Sequence, residues 1–137
     1  MNDQYIFAPV VIQVMLTLGL YVYLAIAKKK AAKLGQVNEE RRALHDDAWP
    51  DNVLQINNCI RNQFEVPLLF YVLIGVLWSL GAINIYVHLA AWLFVVSRIA
   101  HAVVHTGSNY VPLRRRLFMI GCYLLIGLAF YAAYKVI

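Results

Sequence analysis

The sequence predicts an all-α membrane protein built as a bundle of four transmembrane helices, and two observations lead to this prediction. The first is composition: 62% of the 137 residues are hydrophobic, only 14% are charged, and the mean hydropathy is +0.63. A soluble domain of this size carries more charge and fewer apolar residues. The second is that the apolar residues are concentrated in four long runs. Each run is long enough to cross a hydrocarbon core of roughly 30 Å, and a backbone in lipid must satisfy its own hydrogen bonds, which favours helices.

The first predicted helix covers residues 6–27, which hold no charged side chain. A cleaved signal peptide is the alternative, because Ala25-Ile26-Ala27 resembles a cleavage site. However, no basic residue precedes the run, lysines follow it, and the run is longer than a typical signal core. We therefore expect it to be a membrane helix.

The other three helices are predicted over residues 53–80, 85–106 and 114–135, all within a single domain of residues 1–137. The second helix is expected to begin outside the bilayer, since apolar residues recur from Val53 onward, and Pro67 lies near its entry into the membrane. Proline cannot donate to the carbonyl of Gln63, which leaves that carbonyl free beside polar side chains. Gly35 and Pro50 interrupt the charged stretch before it. The one sizeable segment outside the membrane therefore lies between the first two helices.

The net charge of +5 follows the expected membrane topology. Basic residues lie between the first and second helices and between the third and fourth, whereas the loop 81–84 holds no charge. By the positive-inside rule, both basic loops face the cytosol and both termini lie on the far side. We therefore expect a multi-pass protein of a bacterial-type inner membrane. Nucleic acid is not an expected partner, because no basic face with interleaved aromatic residues accompanies the charge.

The cysteines and histidines do not predict a disulfide framework or a metal site. Cys59 falls in the cytosolic connection and Cys122 inside the fourth helix, so neither stands where a structural disulfide is expected. Cys59 has no partner cysteine nearby in the sequence, and the four histidines are not paired with carboxylates at ligand spacing. We therefore expect no bound metal.

Polar residues form two clusters at the borders of the apolar runs. One cluster opens the second helix and the other closes the third: Arg61, Asn62 and Glu65, then Arg98, His101 and His105. Ionisable groups at membrane depth cost a few kcal/mol each, so they usually face a bundle interior and mark a functional site. The second cluster is spaced i, i+3 and i+7, which is one helical stripe. Because the two helices run in opposite directions, both clusters reach the cytosolic side, where Arg114 begins the fourth helix.

These residues predict a cationic pocket for a small ligand that carries carboxylates and an amine, but each has a simpler explanation. Arg61 and Glu65 are spaced i, i+4 and are able to form an ion pair that eases entry into the membrane. The arginines at 114–116 are able to serve only as a topology signal that contacts lipid headgroups. His101 alone fits a hydrogen-bonded bundle residue, and His88 fits a structural role. The shared depth of three segments is what favours a site.

The order and spacing of these residues resemble a known family, the membrane-associated proteins in eicosanoid and glutathione metabolism (MAPEG). The resemblance rests on three motifs: Arg61-Asn62-x-x-Glu65, Arg98-Ile-Ala-His101, and Gly107 through Pro112-Leu113-Arg114. It covers most of the chain and is weakest over the first helix and the first loop. Four helices in a chain of this length also match the family.

The resemblance implies a homotrimer that binds glutathione as a cosubstrate between neighbouring subunits, near the cytosolic face. Arg61, Asn62, Glu65 and His101 match the family's glutathione contacts, and Arg114 matches the arginine that stabilises the thiolate. A thiol with a pKa of roughly 8.5 is mostly protonated at neutral pH, and an adjacent guanidinium favours the nucleophilic anion. Arg114 is therefore the expected catalytic residue, and the two polar clusters are the expected binding residues.

The expected function is that of a glutathione-dependent transferase or peroxidase acting on a lipophilic electrophile that arrives from the membrane. The alternative is a non-catalytic membrane protein that binds a lipid or an anionic metabolite in the same cationic pocket. A structural or assembly subunit requires only the topology. Thiol-dependent turnover separates the first hypothesis from the other two.

Overall fold

A computed structural model of the chain describes residues 3–137, and these form five α-helices and two short 3-10 helices with no strand. The α-helices are α1 (Phe7–Lys33), α2 (Asp51–Gln63), α3 (Val66–Ser79), α4 (Ile85–Thr106) and α5 (Val111–Val136). The 3-10 helices cover Asp3–Ile6 and Asp46–Ala48. Because α2 and α3 together make one span, the described residues contain four segments that are long and apolar enough to cross a membrane. The predicted fold class, an all-α four-span membrane protein, is confirmed.

The second span is broken, which corrects the single helix predicted over residues 53–80. α2 ends at Gln63 and α3 begins at Val66, so Phe64 and Glu65 between them are not helical. Pro67, in the first turn of α3, explains the break, because its ring has no N–H for the Gln63 carbonyl and would clash with it in a continuous helix. The Phe64 N–H instead closes α2 by donating to the Arg61 carbonyl at 3.0 Å.

The first and last helices are longer than the sequence predicted. α1 continues past residue 27 to Lys33, where Gly35 at φ 65° ends it and the Gln36 N–H donates back to the Ala31 carbonyl at 3.0 Å. Its 27 residues span about 40 Å, which is more than the roughly 30 Å of hydrocarbon that a membrane helix has to cross. α5 begins at Val111 rather than residue 114, because Pro112 is favoured in a first helical turn.

Apolar side chains pack into two clusters, one at each end of the bundle. The cluster at the end away from the basic loops joins α3, α4 and α5, and the rings of Phe70 and Phe94 stack there at 4.5 Å. Gly121 lets α5 approach α4, since a Cβ at that position would lie 3.3 Å from Phe94. The other cluster joins α1, α2 and α4 around Ile56 and Cys59. Many large apolar side chains remain exposed along the spans, which suits contact with lipid.

Candidate functional site

A cleft of about 270 Å³ lies where the end of α2, the last turns of α4 and the first turns of α5 meet. Three of the predicted site residues line it, and each comes from a different helix: Asn62, His101 and Arg114. Val111, Arg115 and Phe118 complete its wall. The cleft thus has two arginines, an imidazole and an amide facing two apolar side chains, at the end of the bundle that carries the basic loops.

Arg114 is held in place by the turn that joins α4 to α5. Its Nη1 donates to the side-chain oxygen of Asn109, which has a φ of 52°. Asparagine is among the few residues that tolerate this left-handed conformation, and its N–H also donates to the Val104 carbonyl at 2.7 Å. The guanidinium therefore stands in the first turn of α5, where the helix dipole and the free N–H groups favour an anion.

Two of the three imidazoles of α4, those of His101 and His105, belong to the site. The ring of His101 is buried on the cleft wall, 6.1 Å from the ring of Phe118 and 5.4 Å from that of His105. His105 is also buried but lies behind the wall, where its Nδ1 is 3.4 Å from the side-chain nitrogen of Asn62. Among the described residues, the Nδ1 of His101 has no hydrogen-bond partner. Of the two imidazoles at the site, His101 is therefore the one that has a buried nitrogen without a partner.

Arg98 is completely buried behind the cleft. Its Nη2 donates to the backbone carbonyl of Asn62 at 3.5 Å, and its guanidinium lies 5.7 Å from the ring centre of Phe118. In a continuous second span, the Asn62 carbonyl would bond the N–H of Val66, so the helix break makes this acceptor available. The Nε and Nη1 of Arg98 have no partner within the described part of the chain. A buried cation with unused donors is costly unless an anion lies near, so this end of the bundle favours an anionic ligand.

Arg61 and Glu65 lie outside the cleft, and the ion pair that their spacing allows is not formed among the described residues. Arg61 pairs instead with Asp46, in the 3-10 helix that precedes α2, and 60% of its side chain is exposed. The reason is the helix break, because α2 ends before Glu65 and the i, i+4 spacing no longer places the two side chains on one helical face. Glu65 is exposed at the start of α3.

Three features in or beside the site were not predicted from the sequence. Val111 forms part of the apolar wall, Asn109 holds Arg114, and next to the cleft Gln13 of α1 is hydrogen-bonded to Gln63 at the end of α2. The sequence does contain a signal for Gln13, because its amide lies inside an otherwise apolar run. Asn109 had none, because its role depends on the conformation of a turn.

Neither cysteine forms a disulfide, and no metal cluster is found within residues 3–137. Cys59 is buried and Cys122 half-buried, both as free thiols. No group of three or more histidine, cysteine or acidic side chains among these residues is arranged to hold a metal ion.

Comparison with known protein families identifies one whose sequence model matches the chain. Residues 6–134 match the sequence model of the MAPEG family, which is nearly the whole chain. The chain belongs to the MAPEG family. The resemblance inferred from the three motifs is thereby confirmed at the level of the family. No curated protein and no solved structure matched the chain.

Membership of the MAPEG family indicates which ligand to consider for the cleft. MAPEG proteins include glutathione transferases and related enzymes, and they generally use glutathione. In this MAPEG chain, the seven predicted site residues divide among three locations. Asn62, His101 and Arg114 line the cleft, Arg98 and His105 lie directly behind it, and the pair that opened the first motif, Arg61 and Glu65, stays at the exposed edge.

Proposed function

We propose that the chain is an integral membrane enzyme that uses glutathione to conjugate or reduce a lipophilic electrophile. The observation that carries this proposal is the placement of Arg114 in the first turn of α5, in a cleft backed by the fully buried cation Arg98. Membership of a family whose proteins generally use glutathione supports the same conclusion.

The donors of the cleft fit the chemistry of glutathione, which carries two carboxylates, peptide carbonyls, an ammonium group and a thiol. Within residues 3–137, two nitrogens of Arg98 and one of His101 have no partner, so the protein offers polar atoms that its own groups do not use. The amide of Asn62 is suited to a peptide group. Glu65, at the exposed edge, is the carboxylate that we assign to the ammonium group. Arg61 and His105 complete the proposed binding set, with His105 acting through Asn62.

Arg114 is the residue to which we assign the chemistry. Glutathione would supply a sulfur nucleophile, and the guanidinium of Arg114 together with the dipole of α5 favours its anionic form. Asn109 keeps the guanidinium in place, so little reorganisation is needed when the charge develops. Phe118 and Val111 give the cleft an apolar wall, against which a lipophilic electrophile excludes water from the reacting sulfur.

Turnover of a chromogenic aryl halide and of an organic hydroperoxide, each with and without glutathione, tests this proposal on the purified protein. Glutathione-dependent loss of either electrophile above the rate in protein-free micelles is the expected result. Failure with both substrate types, in a preparation that is folded by circular dichroism, would favour the non-catalytic alternative.

A non-catalytic role in lipid binding is supported by a second cleft, of about 710 Å³, along α5. Its wall combines two exposed arginines with apolar side chains one and two turns further along the helix: Arg115 and Arg116 with Met119, Ile120 and Tyr123. An anionic headgroup would meet the arginines while its acyl chain follows the helix into the membrane. An anionic lipid that co-purifies stoichiometrically with a catalytically silent protein is the result that would select this function.

A homotrimer is part of the proposal, and exposed polar side chains of the second span support association. Asn58, Arg61 and Glu65 are exposed on one chain, although side chains at membrane depth need polar neighbours rather than lipid. We expect native mass spectrometry in mild detergent to give three times the mass of the 15.6 kDa chain. A monomer at micromolar protein would contradict the trimer and a site that is completed by a neighbouring subunit.

We also propose that the basic loops face the cytosol of a bacterial-type membrane, with both termini on the far side. In a background without Cys59 and Cys122, Ser108→Cys and Lys30→Cys should react with a membrane-impermeant maleimide only from the cytosolic side. Ser79→Cys, exposed at the end of α3, should react only from the opposite side. Labelling of all three from one side would contradict the shared depth of the site residues.

A further inference from the structure

The most buried polar contact between two helices lies next to the cleft and has no part in the proposed chemistry. The Nε2 of Gln13, in α1, donates to the Oε1 of Gln63, the last residue of α2, at 2.8 Å. Gln13 is 0% exposed and Gln63 2% exposed. The second amide also reaches back along its own helix, where its Nε2 donates to the Cys59 carbonyl at 3.3 Å. Two amides in apolar surroundings are thus joined across 50 residues of sequence.

The position of this contact in the chain gives it a specific consequence. Gln63 is the residue at which the second span stops being helical, and it directly follows Asn62. The break leaves the Asn62 carbonyl for Arg98, while the Asn62 side chain lines the cleft and meets His105. A contact that fixes the end of α2 therefore fixes both the backbone carbonyl and the side chain of Asn62.

Pro67 alone does not fix that end. A proline prevents the continuous helix but leaves the chain free to change direction over the residues before it. A buried amide pair adds a distance restraint between α1 and the last residue of α2, because separating the two amides would leave polar groups without partners in an apolar medium. The proline thus prevents a continuous helix, and the amide pair restrains the position of the last residue of α2 relative to α1.

We propose that Gln13 and Gln63 are positioning residues that hold the broken end of α2 against α1 and thereby place Asn62 in the cleft. The expected effect on glutathione binding rests on the proposed function. The restraint of the end of α2 by the amide pair does not depend on that function. Neither glutamine touches the cleft, so the effect reaches a ligand only through Asn62.

The test uses Gln13→Leu, Gln63→Leu and the double variant. Each single change strands the other amide and should lower the melting temperature, whereas the double change leaves no unpaired amide and should recover much of that loss. A merely structural role predicts that ligand affinity recovers as well. A positioning role predicts that the double variant still binds glutathione about tenfold more weakly, with kcat changed much less than KM.

A second polar contact, between α5 and the loop that joins α3 to α4, supplies a matched control at the other end of the bundle. Tyr131 of α5 accepts from the side chain of Asn84 at 2.9 Å and donates to the Ala82 carbonyl at 3.3 Å. Tyr131→Phe removes both bonds with little change of shape. It should lower the melting temperature and leave glutathione affinity as in the wild type.

Hydrogen exchange of the backbone N–H groups at residues 62–66 and 68 gives a readout that needs no glutathione. Exchange there should be faster in both single variants and in the double variant than in the wild type and in Tyr131→Phe. If exchange at the break is unchanged in all three glutamine variants, the inference is wrong. If the wild type binds no glutathione, the proposed function fails, and the exchange comparison alone decides whether the amide pair restrains the break.

Discussion

Arg114→Ala should slow glutathione-dependent turnover by roughly 10²-fold or more, the scale of losing one preorganised charge at a developing anion. The guanidinium lies in the cleft, in the first turn of α5, and the Asn109 side chain holds it there. Its removal takes away the cation that we assign to the thiolate. The thiolate absorbance of the bound glutathione should fall together with the rate, because both report the same charge.

Arg116→Ala is the matched control for that prediction. Arg116 lies two residues further along α5 and belongs to the neighbouring cleft rather than to the one that Arg114 lines. Its loss should change the rate by less than a few-fold. Arg115 is a poorer control, since it lines both clefts. Equal effects of Arg114→Ala and Arg116→Ala would identify the arginines as a topology signal and argue against thiol chemistry.

Arg98→Met should separate stability from ligand binding more sharply than any other change. The guanidinium is 0% exposed and two of its nitrogens have no partner in the described chain, so an apolar side chain of similar length should keep or raise the melting temperature of the ligand-free protein. Glutathione affinity should nevertheless fall by roughly 10²-fold, about 2.7 kcal/mol, the scale of removing one member of a buried charge pair.

Arg98→Lys is the companion variant, because it keeps the charge while losing the planar donor geometry. It should bind glutathione more tightly than Arg98→Met. Thermal shift assays with and without glutathione measure both quantities on one sample. A lower melting temperature with unchanged affinity in Arg98→Met would make the arginine a structural residue that supports Asn62 and Phe118.

The spans of this fold could be predicted from the sequence because lipid imposes one strong constraint. Four apolar runs, each long enough to cross the membrane, have to be helices, and that prediction is confirmed. The break at Phe64 and Glu65 was harder to predict, since Pro67 is tolerated in a first helical turn and does not by itself say whether the helix before it stops. The break also explains why Arg61 and Glu65 do not pair, although their i, i+4 spacing allows a pair in a continuous helix.

The convergence of Asn62, His101 and Arg114 followed from topology and helical spacing, which are properties of the sequence. The division of the polar residues between the cleft, its back wall and its exposed edge did not follow from them. That division depends on where α2 ends and on the conformation of the turn at Asn109, both of which are set by contacts between segments distant in sequence. The Gln13–Gln63 hydrogen bond is of the same kind: one member was visible as a lone amide, but its partner was not.

Calorimetric titration of the wild-type protein with glutathione, followed in parallel by ultraviolet difference absorbance, tests the central claim most directly. The claim predicts saturable binding together with a thiolate band at a pH where free glutathione is mostly protonated, and S-methylglutathione should bind without that band. Absence of binding by the folded protein in lipid nanodiscs, or binding without thiolate formation, would contradict the assignment of this cleft to glutathione-dependent chemistry.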